Sequence, residues 1–364
     1  MIKSNDFLNF LKKKNISFFC GVPDSCVAPL IKKINPKNNF VLANEGLAVS
    51  FGIGYHLATK KIPLIYLQNS GLGNATDPLT NLANKEVYGI PLVLLIGWRG
   101  YPTIKDEPQH IIQGKILKNT LKSYNIPNVE LKNKNSYKKI NKLILKCKEE
   151  SRTVAILVNN KTFDNSDKNQ LNKKHFIKTN LFYRRDYLSK IIINTKITDK
   201  IVSSVGYNSR EIYQLLKNLK IKRKIFYLIG GMGHTASLAL AHNIFQKKRV
   251  ITIDGDGSFL MHLGSLVHCG NLSNNNFKYI LFQNKSHESV GNIKMNYKID
   301  YKKFSASIGF REFIKINNVK NFDKKIKDFL ISKKNSFMVI NTKVGTFKNL
   351  LRIKELDKIK KSFI

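Results

Sequence analysis

The sequence predicts an α/β protein built from two doubly wound domains, each containing a parallel sheet. Short, nearly continuous apolar runs alternate with longer amphipathic stretches in both halves, and a polar segment separates the halves. The chain of 364 residues is long enough for two domains of ordinary size. Apolar strands separated by helices are typical of parallel sheets covered on both faces.

The candidate strands of the first half are Ser17–Val22, Phe40–Ala43, Pro63–Gln68, Pro91–Gly97 and Thr153–Val158. Those of the second half are Lys200–Ser204, Lys224–Ile229, Arg249–Ile253, Tyr279–Gln283 and Phe337–Asn341. Each run has the length and apolar content of a buried strand.

A polar segment, Phe163–His175, is rich in Asn, Asp and Lys and poor in apolar residues, which indicates a linker. We therefore expect a first domain at residues 1–165, a linker at 166–182 and a second domain at 183–364.

The net charge of +39 comes mostly from lysine, since only nine arginines are present, and it is spread over the whole chain. This spread indicates a compositional bias rather than a binding face, so we expect no specific nucleic-acid partner. A general positive field still favours anionic substrates. A basic nucleic-acid-binding protein with a Rossmann-like fold remains a remote alternative.

Localisation follows from two features of the sequence. No apolar run reaches the roughly 18 residues of a membrane span, and Met1–Lys14 lacks the apolar stretch of a signal peptide. The four cysteines form no CxxC pair, which favours reduced thiols over a zinc site. We expect a cytoplasmic protein without a membrane partner.

The strongest chemical motif lies in the second half. Gly255-Asp256-Gly257 follows one candidate strand, and Asn284 follows the next. Glycine lets backbone approach a diphosphate closely, and Asp256, Asn284 and the carbonyl of Ser286 could supply oxygen ligands to Mg²⁺. Taken alone, Gly-Asp-Gly is more often a simple turn, but the flanking strands favour the metal–diphosphate interpretation.

This arrangement resembles the cofactor motif of the thiamine diphosphate-dependent decarboxylase superfamily, in which Gly-Asp-Gly is followed by a closing asparagine. Gln283 stands where the superfamily usually has the first of two asparagines, while the ligand position is kept as Asn284. The resemblance implies thiamine diphosphate and Mg²⁺ as cofactors. It also implies one pyrimidine-binding and one diphosphate-binding domain, without the central third domain of longer members.

Two further positions match the superfamily. Glu45, after a strand and at the start of a helix, matches the glutamate that bonds the pyrimidine ring and activates the cofactor. Met232, within Gly231-Met232-Gly233, matches the bulky residue that wedges between the two cofactor rings. The alternatives are a helix-capping glutamate and an ordinary core methionine.

Within the superfamily the chain is most similar to the short phosphonopyruvate decarboxylases. The similar segments are Gly21–Ser25, Ala43–Gly46, Gln68–Asn74, Gly97–Gly100, Lys105–His110, Ser209–Glu211, Met232–His234 and His287–Gly291. Gly97–Gly100 and Lys105–His110 are the most specific segments, since the wider superfamily does not share them. Lys285 and Glu288 depart from the family pattern, which bears on substrate specificity.

The resemblance implies decarboxylation of 3-phosphonopyruvate to phosphonoacetaldehyde and CO₂, in phosphonate biosynthesis. Asp24 and His110 would serve proton transfer, and Arg99 and Lys105 would bind the phosphonate. The alternative for Asp24 is an aspartate in a turn, and the alternative for His110 is a structural histidine. Arg99 and Lys105 could instead form surface ion pairs.

The superfamily places its cofactor between domains of different subunits, so we expect a homodimer or higher homo-oligomer. Sulfopyruvate decarboxylase remains an alternative, because sulfonate and phosphonate are both tetrahedral anions. Another short 2-oxo-acid decarboxylase and a carboligase remain alternatives as well.

Overall fold

The computed structural model describes residues 1–164, 181–318 and 320–364. Within these ranges the chain forms two compact units, residues 1–164 with 289–295 and residues 181–288 with 296–364. The expected linker, 166–182, lies almost entirely outside the described residues. The domain boundaries therefore stay a prediction.

The first unit contains a six-stranded sheet, in which every pairing is parallel, with strand order β2-β1-β3-β4-β6-β5. Its strands are β1 (Phe19–Gly21), β2 (Asn39–Val41), β3 (Leu64–Gln68), β4 (Val93–Gly97), β5 (Asn128–Glu130) and β6 (Val154–Val158). Its helices are α1 (Ser4–Lys12), α2 (Ala28–Ile31), α3 (Glu45–Thr59), α4 (Leu72–Asn81), α5 (Pro108–Ser123) and α6 (Ser136–Glu149).

The second unit repeats this plan with strand order β13-β14-β10-β9-β7-β8, again parallel throughout. Its helices are α7 (Arg184–Asn194), α8 (Tyr207–Leu219), α9 (Thr235–Gln246), α10 (Asp256–Met261), α11 (Ser265–Leu272), α12 (Tyr301–Ser307), α13 (Phe322–Ile331) and α14 (Leu356–Phe363). The sheet strands are β7 (Lys200–Ser203), β8 (Lys224–Tyr227), β9 (Val250–Gly255), β10 (Phe277–Gln283), β13 (Glu312–Ile316) and β14 (Ser336–Asn341). A short strand of this unit is β11 (Ser286–His287), whereas the short strand β12 (Ile293–Lys294) lies in the segment 289–295 of the first unit.

The predicted fold class, two doubly wound parallel sheets, is confirmed. All ten candidate strands are present, with shorter or shifted ends. The sequence analysis missed the two short strands β11 and β12 and, in the six-stranded sheets, β5 and β13, which lie at the sheet edges. Such strands are covered less completely, so they lack the continuous apolar run of a central strand.

The core of the first unit shows why its central strands are apolar throughout. Leu64 and Tyr66 pack into one hydrophobic cluster, whereas Ile65 and Leu67 pack into a second cluster. Successive side chains of a strand point to opposite faces of the sheet. Both faces of β3 are therefore buried beneath helices, as a doubly wound sheet requires.

Each sheet has a point at which successive connections diverge to opposite sides. In the first unit this point lies between β1 and β3, and in the second between β7 and β9. Open α/β sheets bind their ligands outside the carboxyl ends of the strands beside such a point. The loops that follow these strands are therefore the place to seek a functional site.

The described residues bear on two expectations, the absence of a membrane span and the reduced state of the cysteines. Among them, no helix combines the length and apolar character needed to cross a membrane. All four cysteines are buried free thiols.

Candidate active site

Glu45 is the first residue of α3, immediately after the loop that follows β2. Asn44 caps this helix, its side chain accepting a hydrogen bond from the Leu47 amide at 3.0 Å. The Glu45 side chain is buried, and its Oε2 accepts a hydrogen bond from Asn74 Nδ2 at 2.8 Å. Burial raises the pKa of Glu45, and the bond from Asn74 offsets only part of that effect. The carboxyl group is thus suited to holding a proton.

Space for the Glu45 carboxyl group comes from Gly71. A Cβ atom on Gly71 would lie only 2.4 Å from Glu45 Oε1. A larger residue would have to displace the carboxyl group. Neither Gly71 nor Asn74 was singled out as a site residue from the sequence, although both lie in the family-like segment Gln68–Asn74.

Asp24 lies in the loop after β1 and is fully buried. Its Oδ1 accepts a hydrogen bond from the Cys26 amide at 2.8 Å, while its Oδ2 has no hydrogen-bond partner. Burial raises the pKa of Asp24, although the nearby Arg99 charge opposes this. Gly97 gives the carboxyl group room, since a Cβ there would lie 2.1 Å from Oδ1. An orphaned buried oxygen indicates a missing partner, such as a ligand.

Arg99 follows β4 and is fixed by three side-chain contacts. Its Nε donates to Asp106 Oδ2 at 2.8 Å, Nη2 donates to Asp106 Oδ1, and Nη1 donates to Ser25 Oγ at 2.9 Å. Asn69 holds its backbone through bonds to both the amide and the carbonyl. The guanidinium group is therefore held in one orientation beside Asp24 and remains partly exposed.

The remaining predicted residues of the first unit occupy different environments. His110 is buried in the first turn of α5, where its amide donates to the Glu107 carbonyl at 2.9 Å. Lys105 is exposed on the preceding loop. Asp106 pairs with Arg99, as the ion-pair alternative predicts, but both side chains are largely buried rather than at the surface.

In the second unit, Asp256 begins α10 directly after β9. It is buried, and its Oδ2 accepts bonds from the amides of Asn284 at 3.1 Å and Lys285 at 2.6 Å. The Tyr297 hydroxyl donates to the same oxygen at 3.3 Å. Burial raises the pKa of Asp256 to about 6, because these bonds offset only part of the desolvation.

Asn284 lies next to Asp256 because β10 is the neighbour of β9, with Phe282 opposite Gly255. Its Oδ1 accepts from the Ser286 amide at 3.0 Å, and its Nδ2 donates to Glu288 Oε2 at 3.0 Å. In residues 1–164, 181–318 and 320–364, no three His, Cys, Asp or Glu side chains form a metal-binding group. The available donors are one carboxylate with amide and carbonyl oxygens, which suits Mg²⁺ with water as further ligand.

The Gly231-Met232-Gly233 turn follows β8, and both glycines have positive φ, 67° and 89°. Met232 is half-buried rather than a fully buried core residue. A Cβ on Gly257 would lie 2.9 Å from Met232 Cε and 3.0 Å from the His287 ring. Met232 therefore packs against the backbone of the Gly-Asp-Gly segment, and a side chain at Gly257 would require Met232 and His287 to shift.

The residues that depart from the family pattern have definite contacts. Gln283 Nε2 donates to the hydroxyls of Tyr297 and Tyr301, at 3.0 and 2.8 Å. Lys285 has a positive φ of 54°, a conformation that glycine adopts more readily. Tyr297, which contacts Asp256, carried no signal in the sequence, because it lies outside every recognisable motif.

Comparison with known proteins identifies both domains. The thiamine pyrophosphate enzyme C-terminal TPP-binding domain matches residues 204–342, and the N-terminal TPP-binding domain matches residues 3–121. These two ranges contain Asp256 with Asn284 and Glu45 with Asp24, respectively.

Curated relatives agree with the domain matches. Phosphonopyruvate decarboxylase from Streptomyces viridochromogenes is 27% identical over 330 residues, which cover 85% of this chain and 81% of the relative. Sulfopyruvate decarboxylase from Methanosarcina acetivorans is 25% identical, covering 87% of this chain and 84% of the relative.

The beta subunit of sulfopyruvate decarboxylase from Methanocaldococcus jannaschii is 30% identical over 161 residues, covering 44% of this chain and 83% of that subunit. Matches to both cofactor-binding domains and to decarboxylases over most of the chain lead to one assignment. The chain belongs to the thiamine pyrophosphate enzyme family and is a thiamine diphosphate-dependent decarboxylase.

Proposed function

We propose that this enzyme decarboxylates 3-phosphonopyruvate to phosphonoacetaldehyde and CO₂, as a step in phosphonate biosynthesis. The observation that carries the proposal is the guanidinium group of Arg99, oriented by Asp106 and Ser25 beside the buried Asp24. A rigid, partly exposed guanidinium group suits a tetrahedral oxyanion. The similarity to phosphonopyruvate decarboxylases over 85% of the chain supports the same substrate.

The residues of this chain have separable roles in the proposed reaction. Thiamine diphosphate, when bound, supplies the electron sink that accepts the electron pair left by CO₂. Glu45 would hold a proton at its buried carboxyl group, from which it could hydrogen-bond the pyrimidine ring of the cofactor. Asp24, whose pKa is also raised by burial, would deliver a proton to the carbon that has lost CO₂. His110 is a second candidate for this proton transfer.

The diphosphate end of the cofactor would lie against the two glycine-containing turns, Gly231–Gly233 and Gly255–Gly257. Within these turns Gly231 and Gly255 leave room for close backbone approach. Met232 would support the cofactor rings. Mg²⁺ would bind Asp256, Asn284 and the Ser286 carbonyl. Asp256 and Asn284 follow the neighbouring strands β9 and β10, which supports this assignment, and oxygen donors are the ligands that Mg²⁺ prefers.

We further propose that the enzyme works as a homodimer or larger homo-oligomer. Helix α3, which begins at Glu45, exposes Leu47 and Phe51, and α5 exposes Ile112. Large apolar side chains that remain exposed on the protein surface often mark a subunit interface. The cytoplasm is the proposed location.

Sulfopyruvate is the second candidate substrate, because sulfopyruvate decarboxylases match the chain at comparable identity. The test is CO₂ and aldehyde formation from phosphonopyruvate, sulfopyruvate and pyruvate, each with and without thiamine diphosphate and Mg²⁺. Preference for phosphonopyruvate would support the proposal. Preference for another oxo acid would replace the substrate, and ligation of an added aldehyde would indicate a carboligase.

Arg99 offers a sharper test of substrate choice. Arg99→Ala should raise KM for phosphonopyruvate about 10- to 100-fold, because charge-assisted bonds to the phosphonate are lost. The KM for pyruvate, which lacks a terminal anion, should change much less. Lys115→Ala is the matched control, since it removes an exposed cation from α5 of the same unit, at a residue with no assigned role. Equal KM increases for both substrates with Arg99→Ala would contradict the assigned role.

A further inference from the structure

An almost completely buried charged network lies behind the proposed metal ligand Asn284. Arg184, at the start of α7, donates from Nε and Nη2 to the two carboxylate oxygens of Glu211, at 2.9 and 3.1 Å. Its Nη1 donates to Glu288 Oε2 at 2.9 Å. The side chains of Arg184, Glu211 and Glu288 are only 6%, 0% and 8% exposed. Burying three charges this completely is costly, so the arrangement calls for an explanation.

Glu288 links the network to the metal site. The oxygen that accepts from Arg184, Oε2, also accepts from Asn284 Nδ2 at 3.0 Å. The other oxygen, Oε1, accepts from the backbone amide of Gly345, beyond β14. One carboxylate thus joins α7, the loop after β10 and the loop after β14.

The chemistry of these groups fixes the orientation of the Asn284 carboxamide. An ion-paired carboxylate only accepts hydrogen bonds, so the carboxamide must turn its nitrogen toward Glu288. Its oxygen then points away from Glu288, and it accepts from the Ser286 amide. Without this acceptor, only the weaker bond from the Ser286 amide would fix the two ends of the carboxamide. A rotated carboxamide would present N–H groups, which cannot bind a cation.

The charges favour the same role. One guanidinium group and two carboxylates leave a net single negative charge, and the carboxylate of Asp256 lies beside Asn284. A divalent cation at Asp256 and Asn284 would offset this buried negative charge. The network is therefore matched to an occupied metal site.

We propose that Glu288, anchored by Arg184, is a positioning residue that holds Asn284 in the orientation that binds the divalent metal. The inference rests on the metal site of the proposed function. It assigns a role to a residue at which the sequence departs from the family pattern. Groups behind a metal ligand typically change metal affinity 10- to 100-fold when they are removed.

The experiment is a calorimetric titration of MgCl₂ into the full-length protein at saturating thiamine diphosphate. The main variant is Glu288→Leu, which removes both acceptor oxygens but leaves the bidentate Arg184–Glu211 pair electrically balanced. Its Mg²⁺ dissociation constant should rise about 10- to 100-fold. Turnover should recover substantially at high Mg²⁺, since the ligand itself is still present.

The matched control is Asp199→Asn. Asp199 forms a buried bidentate ion pair with Arg249, and both residues precede parallel strands at the opposite end of the same sheet. This variant should lower the apo-protein melting temperature without changing Mg²⁺ affinity. Glu288→Asp is the second variant, should leucine prevent folding, because aspartate is too short to maintain all three contacts.

The outcomes separate the two proposals. If both Glu288 variants bind Mg²⁺ within a factor of about three of the wild-type affinity, the positioning role of Glu288 is wrong. The proposed metal site itself would not be affected by that result. An equal loss of affinity in Asp199→Asn would overturn the positioning role too, because the effect would then reflect general destabilisation. If wild-type protein bound thiamine diphosphate with no dependence on Mg²⁺, the metal site would fail, and this inference with it.

Discussion

Glu45→Gln is expected to reduce turnover of the preferred oxo acid by about 10²- to 10⁴-fold, the usual contribution of a positioned acid–base group. Glutamine keeps the size of the side chain and can still contact Asn74. It cannot release or accept the proton that burial favours on the Glu45 carboxyl group. Binding of thiamine diphosphate should change far less than turnover, because the shape of the site is retained.

The measurement is CO₂ release at saturating thiamine diphosphate and Mg²⁺, with cofactor binding followed by thermal shift. Glu86→Gln is the matched control, since it makes the same chemical change at an exposed turn of the same unit. Turnover of Glu45→Gln within about tenfold of wild type would show that Glu45 is not the acid–base group.

A second route to the same effect leaves Glu45 itself unchanged. Gly71→Ala introduces a Cβ 2.4 Å from Glu45 Oε1, which forces the carboxyl group to move. Activity should fall while the protein remains folded, because a displaced side chain costs less than a backbone clash. Gly54→Ala, on the same helix as Glu45, meets no atom within 4 Å and serves as the control.

Asp256→Asn is expected to weaken Mg²⁺-dependent binding of thiamine diphosphate by at least about 100-fold, the upper end of the effect of residues that only support a ligand. Asparagine removes the negative charge but preserves the shape. In the wild-type protein the backbone amides of Asn284 and Lys285 both donate to Asp256 Oδ2. The side-chain nitrogen of asparagine is also a donor, so it would face these amides without forming a hydrogen bond. The loop that carries Asn284 should therefore be displaced as well.

Calorimetry of cofactor binding with and without Mg²⁺ measures this effect. Asp357→Asn changes the net charge equally at an exposed helix end, and it should bind normally. Retained Mg²⁺-dependent binding in Asp256→Asn would exclude Asp256 as a metal ligand.

The variants Glu45→Gln and Asp256→Asn, mixed in equal amounts, test the proposed assembly. If each active site draws Glu45 and Asp256 from different subunits, subunits mixed by refolding should regain about a quarter of wild-type activity. Half of the dimers would then be mixed, and each would contain one intact site. No recovery in the mixture would argue against a shared site.

The sequence alone located the candidate site because the relevant signals are local. Gly255-Asp256-Gly257 lies at a strand end, and Glu45 lies at a helix start, positions that hydrophobic patterning identifies. The central strands were found for the same reason, since burial on both faces makes them apolar throughout. The family assignment follows from these motifs, and the domain matches confirm it.

The tertiary structure decided what each motif residue contacts. Asn74, Gly71 and Gly97 lie far in sequence from the carboxyl groups that they serve, and Tyr297 lies in no motif. The partnership of Arg184 with Glu288 spans 104 positions of the chain. Local sequence therefore determined the strands, the helix starts and the cofactor class. The neighbours that raise a pKa, make room for a carboxyl group or orient a ligand were decided by the packing of distant segments, because burial and hydrogen bonding depend on spatial rather than sequential proximity.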